Sequence, residues 1–201
     1  MRRIVMFNQV SAEGFFASPD GMLDWVVPEP QLDASAADNL AGADAIIFGR
    51  RTYEMFESFW PGAAKDAHAA GAEDPHAPGE RSHDMSAIAR WINESAKLVF
   101  STTRTDFPWQ NSRVLPSFDP AEIEALKAGP GKDIMVFGSG SIVARLTEHG
   151  LIDEYQLIVQ PVFLGAGRPL IEDAAQRRTL QLLEATPYPS GIVRLRYAPK
   201  G

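Results

Sequence analysis

The sequence predicts an α/β fold whose central sheet is mixed, mostly parallel, and finished by antiparallel strands. Three observations predict it. Short β-rich runs, each bounded by turn residues, recur from the first residues onward. Helical patterns lie between the early runs, as expected where parallel strands are joined by helical crossovers. After Leu151 the helices stop, and the chain reads as strand, loop, strand, punctuated by Gly165, Gly167, Pro187, Pro189 and Gly191. Strands joined by short loops pair antiparallel.

Each element follows in order. RIVMFNQVS opens the chain as a strand, and the spacing predicts a helix over Asp33–Ala41 with Asp33 as its N-cap. ADAIIFGRRT is the next strand and runs into a helix over Tyr53–Phe59. Pro61–Asp84, rich in Ala, Gly, His, Pro and acid, reads as an exposed insertion. A helix over Ser86–Asn93, the strand AKLVFSTTR, a helix over Pro120–Lys127 and the strand KDIMVFGSG come next. The helix Ser141–His149 is expected to be capped by Ser141 and closed by His149 before Gly150. YQLIVQPVFLG and IVRLRYAP are the late strands. No repeat or linker divides the chain, so residues 1–201 are read as one domain.

Composition narrows the function classes. A chain of 201 residues with 45% hydrophobic and 22% charged residues is an ordinary core-forming protein. Its net charge of −7 argues against nucleic acid or anionic membrane as a partner, so any anionic ligand needs a local basic cluster. Cysteine is absent, which excludes disulfides, thiolate metal sites and cysteine nucleophiles and favours a cytoplasmic setting. Ile4–Phe7 is too short an apolar run for a signal peptide, and nothing approaches the ~18 apolar residues of a membrane span.

The chemistry collects at strand ends. In MVFGSGSIVARL a strand meets Gly138, Ser139, Gly140 and Ser141 and then a helix. Glycines there let an anion approach the unpaired N–H groups and positive dipole end of the helix. The stretch is no dinucleotide fingerprint, since Val143 stands at the third glycine position, and it lacks the Gly-Lys-Ser/Thr of a nucleoside-triphosphate loop. A capped, glycine-rich turn explains it equally well. IIFGRRTYEMF places Gly49, Arg50, Arg51 and Thr52 at a second strand end, and guanidinium pairs naturally with phosphate. FSTTRTD repeats the chemistry with Ser101, Thr102, Thr103 and Arg104. Ligands of open α/β sheets bind at the carboxyl ends of strands, so three such clusters point to several phosphates. A dinucleotide with an added 2′-phosphate fits better than a mononucleotide.

GRRTYE, FSTTR and VFGSGSIVARL, in this order and spacing, resemble the dihydrofolate reductase fold. More closely they resemble bacterial reductases related to the C-terminal domain of the riboflavin-biosynthesis reductase, RibD. NQVSAEGFFASPDGMLDWV is similar to that family's opening strand and loop, and HGLIDEYQLIVQPVFLGAGRPLI to its late strand and glycine loop. The resemblance spans nearly the whole chain and implies a single-domain, three-layer fold with helices on both faces of the sheet, and a homodimer paired across a sheet edge at YQLIVQPVFL. It implies NADPH held by Gly49, Arg50, Arg51, Thr52, Ser101, Thr102 and Arg104, with Gly138, Ser139, Gly140, Ser141 and Ile142 cradling the pyrophosphate. It further implies that the loop Ala17–Trp25 closes over the nicotinamide, with Trp25, Leu164 and Gly165 beside the substrate. Where relatives read Ser-Leu-Asp-Gly this chain reads Ser11-Ala12-Glu13-Gly14, which alters any substrate contact made by that acid.

Hydride transfer to a C=N or C=O bond also needs a proton, and Asp33, Asp24 and Glu13 are the candidate acids; the resemblance favours Asp33, on the first helix. His68, His76 and His83 share the insertion with several acids, but their spacing fits no helical ligand pair and no metal is expected. The resulting expectation is an NADPH-dependent reductase of a small heterocyclic or carbonyl-containing acceptor. Its rivals are a nucleotide-binding or regulatory module that has lost turnover, supported by the altered Ser-Ala-Glu-Gly, and a ligand-free structural protein.

Overall fold

Alternation along the first strand determines the layering. β1 (Ile4–Val10) sends Ile4 and Met6 into one core and Val5 into the other, so apolar cover is required on both faces. In the computed structural model, which describes residues 1–65, 83–171 and 177–200, β1 lies between parallel neighbours on both sides. After the short β2 (Phe15–Ala17) come α1 (Pro30–Leu40), β3 (Ala43–Gly49), α2 (Arg50–Lys65), α3 (His83–Glu94), β4 (Ala96–Phe100) and β5 (Ser112–Leu115). Then follow α4 (Pro120–Ala128), β6 (Asp133–Phe137), α5 (Gly140–Glu148), β7 (Glu154–Val159), β8 (Arg168–Pro169), β9 (Leu180–Pro187) and β10 (Val193–Pro199).

The main sheet has eight strands in the order β5-β4-β3-β6-β1-β7-β10-β9. All neighbours are parallel until β10, which runs antiparallel to both β7 and β9. β2 and β8 form a separate antiparallel pair. One face is covered by Leu40 of α1, Tyr53, Phe56 and Trp60 of α2, and Ile88 and Ile92 of α3. The other is covered by Ile123 of α4 and Ile142, Val143 and Leu146 of α5. The three-layer α/β architecture with an antiparallel finish is thus the one expected.

Several boundaries differ, for physical reasons. α1 begins at Pro30, and its N-cap is Glu29, whose carboxylate accepts the N–H of Gln31 at 3.1 Å. Proline suits the first helical position because its missing N–H is one that needs no partner there; Asp33 therefore sits in the first turn, and the N-cap position belongs to Glu29. α5 begins at Gly140, with Ser139 rather than Ser141 in the N-cap position. His149 does close α5, followed by Gly150 at φ +67°. YQLIVQPVFLG is no edge: β7 lies between β1 and β10, and its apolar character reflects burial on both faces. The edge beyond it is β9, where Leu182 and Leu183 are exposed. Of the expected insertion, Pro61–Lys65 continue α2 and His83–Asp84 start α3; residues 66–82, with His68 and His76, lie outside the described residues, as does the side chain of His83.

Candidate active site

The carboxyl ends of β3, β4 and β6 and the later residues of β1 open into one cavity of about 960 Å³. One wall is built from two turns locked together. The Ser139 hydroxyl accepts the N–H of Gly49 at 2.8 Å and donates to the Phe137 carbonyl at 3.0 Å. In return the N–H of Ser139 donates to the Thr52 hydroxyl at 3.0 Å. Gly138 and Ser139 are both left-handed, at φ +52° and +58°. A β-carbon on Gly138 would lie 3.0 Å from Thr52, so glycine is required there on two counts. Holding Ser139 in this conformation costs about 1–2 kcal/mol, which its three hydrogen bonds offset. The Ser139 side chain is therefore a strut between turns. The N–H groups of Gly140 and Ser141 have no partner inside a helix that starts at Gly140. Among the described residues no helix is long and apolar enough to cross a membrane.

Gly49, Arg50, Arg51, Thr52, Ser101, Thr102, Gly138, Ser139, Gly140, Ser141 and Ile142 all line this cavity, as does Thr103. Arg104 does not. Its guanidinium donates to both carboxylate oxygens of Glu57, at 2.8 and 3.1 Å, and lies 4.8 Å from the centre of the Phe107 ring. Its Nε donates to the Asp106 carbonyl at 2.7 Å. The side chain is committed to bracing the turn after β4, so the phosphate role expected of it is not served by this geometry. Arg104→Ala is expected to lower stability by up to about 1 kcal/mol, the scale of a partly exposed ion pair, and to leave nucleotide affinity unchanged; thermal denaturation beside a nucleotide titration checks both. Arg50 bonds Glu54 one helical turn away, at 2.8 and 3.1 Å.

The opposite wall is the loop Ala17–Trp25, of which Ala17, Gly21 and Leu23 face the cavity. Its turn is formed as Asp20-Gly21 predicts: Gly21 has φ +95° and the Asp20 carboxylate accepts the N–H of Met22 at 3.0 Å. Arg168 pins the loop from β8 by donating to the Pro19 carbonyl at 3.1 and 3.2 Å. Trp25 is not on the cavity wall; its indole N–H donates to Met22 within the loop, and neighbouring Val26 takes its place.

Of the three candidate acids only Asp33 lines the cavity; Asp24 is exposed on the loop, away from that wall. Glu13 has another task. Its carboxylate accepts the N–H groups of Leu164 at 2.8 Å and Gly165 at 2.7 Å, fastening the glycine loop to the N-terminal loop. Desolvation is the largest single influence and opposes ionisation, but hydrogen bonds from the Gly165 N–H, the Ser11 side chain and the Leu164 N–H together prevail and hold the Glu13 carboxyl below its ordinary range, which suits an anchor and not a proton donor. Leu164 and Gly165 are thereby turned away from the cavity wall, and Arg168 and Pro169 line it instead.

Among the lining residues that sequence reasoning missed are Glu29, Arg145, Arg168 and Gln156. The Pro28-Glu29-Pro30 run is a signal that would have found Glu29. Arg145, one turn into α5 with its guanidinium 5.8 Å from the Phe118 ring, follows from helical spacing after Gly140. Among the described residues no group of three His, Asp or Glu side chains is placed to hold a metal ion.

Comparison with known proteins gives the family and the fold. The family model described as the RibD C-terminal domain matches residues 2–194. The uncharacterized protein YyaP of Bacillus subtilis (strain 168) is 30% identical over 200 residues, covering 98% of this chain and 94% of that protein. A Shewanella sp. PV-4 protein provisionally assigned to riboflavin biosynthesis superposes with a TM-score of 0.73 at 21% identity, covering 100% of each chain. Dihydrofolate reductase from Enterococcus faecalis, solved with NADP(H), superposes with a TM-score of 0.61 at 10% identity, over 99% of this chain and 97% of that one.

Proposed function

The chain belongs to the RibD C-terminal domain family, whose fold is that of reductases, and from that premise we propose that it is an NADPH-dependent reductase of a small heterocyclic or carbonyl-containing acceptor. The observation that carries the reading is convergence: hydroxyl, guanidinium and helix N-terminal donors from three strand ends line one cavity edge. The donor set fits a dinucleotide carrying a third phosphate. The N–H groups of Gly140 and Ser141 hold the pyrophosphate at the start of α5. Arg51 and Arg50 take the 2′-phosphate, assisted by the hydroxyls of Ser101 and Thr102. Bound NADPH would supply the hydride. The loop Ala17–Trp25 keeps water from the reacting centre, and Asp33, on the first turn of α1, is the group placed to hold the proton. That a dihydrofolate reductase of this fold was solved with NADP(H) supports the choice of cofactor. Glu13 fastens a loop, so the departure at Ser11-Ala12-Glu13-Gly14 gives no support to a silent binding module. A cytoplasmic homodimer goes with this reading, and the exposed edge strand β9 is the place for such pairing.

The test is a titration with NADPH and NADH, following tryptophan fluorescence. NADPH is expected to bind at least tenfold tighter, and Arg51→Ala to remove about 1.4 kcal/mol of that preference while leaving NADH binding as it was. Equal affinity for the two nucleotides would remove the 2′-phosphate role from Arg51. Failure to bind either would overturn the reductase reading.

A further inference from the structure

Gln156 of β7 lies in the cavity wall, and it is 4% exposed. Its Nε2 donates to Glu154 Oε1 at 2.8 Å, while its Oε1 is buried with no hydrogen-bond partner among the described residues. Leaving a buried carbonyl oxygen unpaired is unfavourable, so the position favours a ligand that carries a donor. The amide is not free to turn over. Glu154 Oε1 also accepts Nε of Arg196 at 2.7 Å, and Glu154 Oε2 accepts from Arg3 at 3.3 Å. Burial alone would raise the Glu154 carboxyl, but the hydrogen bonds from Arg196 and Gln156 prevail and keep it ionised. A carboxylate accepts only, so it fixes the NH2 of Gln156 toward itself and leaves the carbonyl for the ligand.

The surroundings define the rest of that ligand. Gln156 is the register partner of Phe7, whose ring meets Phe137 edge-on at 5.9 Å; Phe56 lies 5.8 Å beyond. Leu32 and Leu40 of α1 complete an apolar lobe. The described charges that line the cavity from α1 and its N-cap are the carboxylates Asp33 and Glu29. The described arginines lining it come from α2, α5 and β8.

Resting on the reductase reading above, we propose that Gln156 recognises the acceptor, its carbonyl oxygen taking a ring N–H of a flat, uncharged lactam-type heterocycle seated against Phe7 and Phe137. An acceptor bearing a phosphate is disfavoured by the two carboxylates. The probe pair is quinoxalinone, which carries a lactam N–H, and its N-methyl derivative, each titrated calorimetrically into the full-length protein. Quinoxalinone is expected to bind about tenfold tighter, the worth of one buried hydrogen bond, and Gln156→Met to abolish the difference. Equal binding of the two probes by the unaltered protein, binding of neither, or a preference that survives in Gln156→Met overturns the inference. An NADPH titration of the same samples separates the two levels. Retained nucleotide binding confines the failure to Gln156, and its loss removes the reductase reading as well.

Discussion

Replacing Gly140 by valine is expected to weaken NADPH binding by about 100-fold, or about 2.7 kcal/mol, while leaving the fold in place. Gly140 opens α5 beside the N-terminal loop, and a β-carbon there would stand 2.8 Å from the Phe16 ring and 3.2 Å from the Leu170 carbonyl. Phe16, itself a lining residue, must swing aside, which disturbs the wall opposite the start of α5. The branched side chain also projects beside the N–H groups of Gly140 and Ser141, whose use by an anion depends on close backbone approach. Nucleotide titration alongside circular dichroism checks the prediction. A folded variant with unchanged affinity would show that the start of α5 is not where the pyrophosphate sits.

The largest effect on stability is expected at Lys97. This side chain is wholly buried, its Nζ donating to the carbonyls of Asn93, Ser95 and Gln110 at 3.0, 2.9 and 3.2 Å and lying 4.4 Å from the Trp109 ring centre. It ties the end of α3 to the strands that follow. Lys97→Met keeps the volume and strands three carbonyls, at about 1 kcal/mol each. The expected loss is about 3 kcal/mol, on the order of 10 °C in Tm for a chain of this size. A loss of less than about 1 kcal/mol would mean that water or a shifted backbone satisfies those carbonyls. The pH dependence gives a second readout. Burial, with no carboxylate partner among the described residues, pushes the Lys97 ammonium down to about 8 from its ordinary 10.5. Between those values the unfolded chain holds a proton that the folded chain has released, so stability rises with pH across that window. The rise is expected in chemical denaturation of the unaltered protein and absent from Lys97→Met.

Legibility in the sequence followed locality. The strands that precede glycine or hydroxyl clusters, β3, β4 and β6, were readable because their signals lie within a few residues. β9 was not, since LQLLEATP at an exposed edge mixes leucine with polar residues and carries neither clean alternation nor an apolar run. The cavity's wall of hydroxyl, glycine and arginine residues was legible as a set of residue types, but individual roles were not. Arg104 looks like any phosphate-binding arginine until α2 brings Glu57, 47 residues earlier, against it. Ser139 and Ser141 are equivalent on paper, and only the left-handed turn beside Thr52 makes one a strut and leaves the other at the first turn of the helix. Glu13 reads as a candidate acid until the fold sets it against two N–H groups 151 and 152 residues away. Long-range partners such as these come from topology, which no window of sequence contains.

The strut formed by Ser139 has a consequence for how the site measures its ligand. Gly49 and the start of α2 belong to one crossover, Gly140 and the start of α5 to another, yet a single hydroxyl joins them through 2.8 and 3.0 Å contacts. The separation between the arginine end and the helix-amide end is therefore inherited from the spacing of adjacent strands rather than from loops that breathe. In the proposed reading the pair behaves as a fixed ruler: a dinucleotide of the right span engages both ends at once, and a ligand too short to bridge them gains only one.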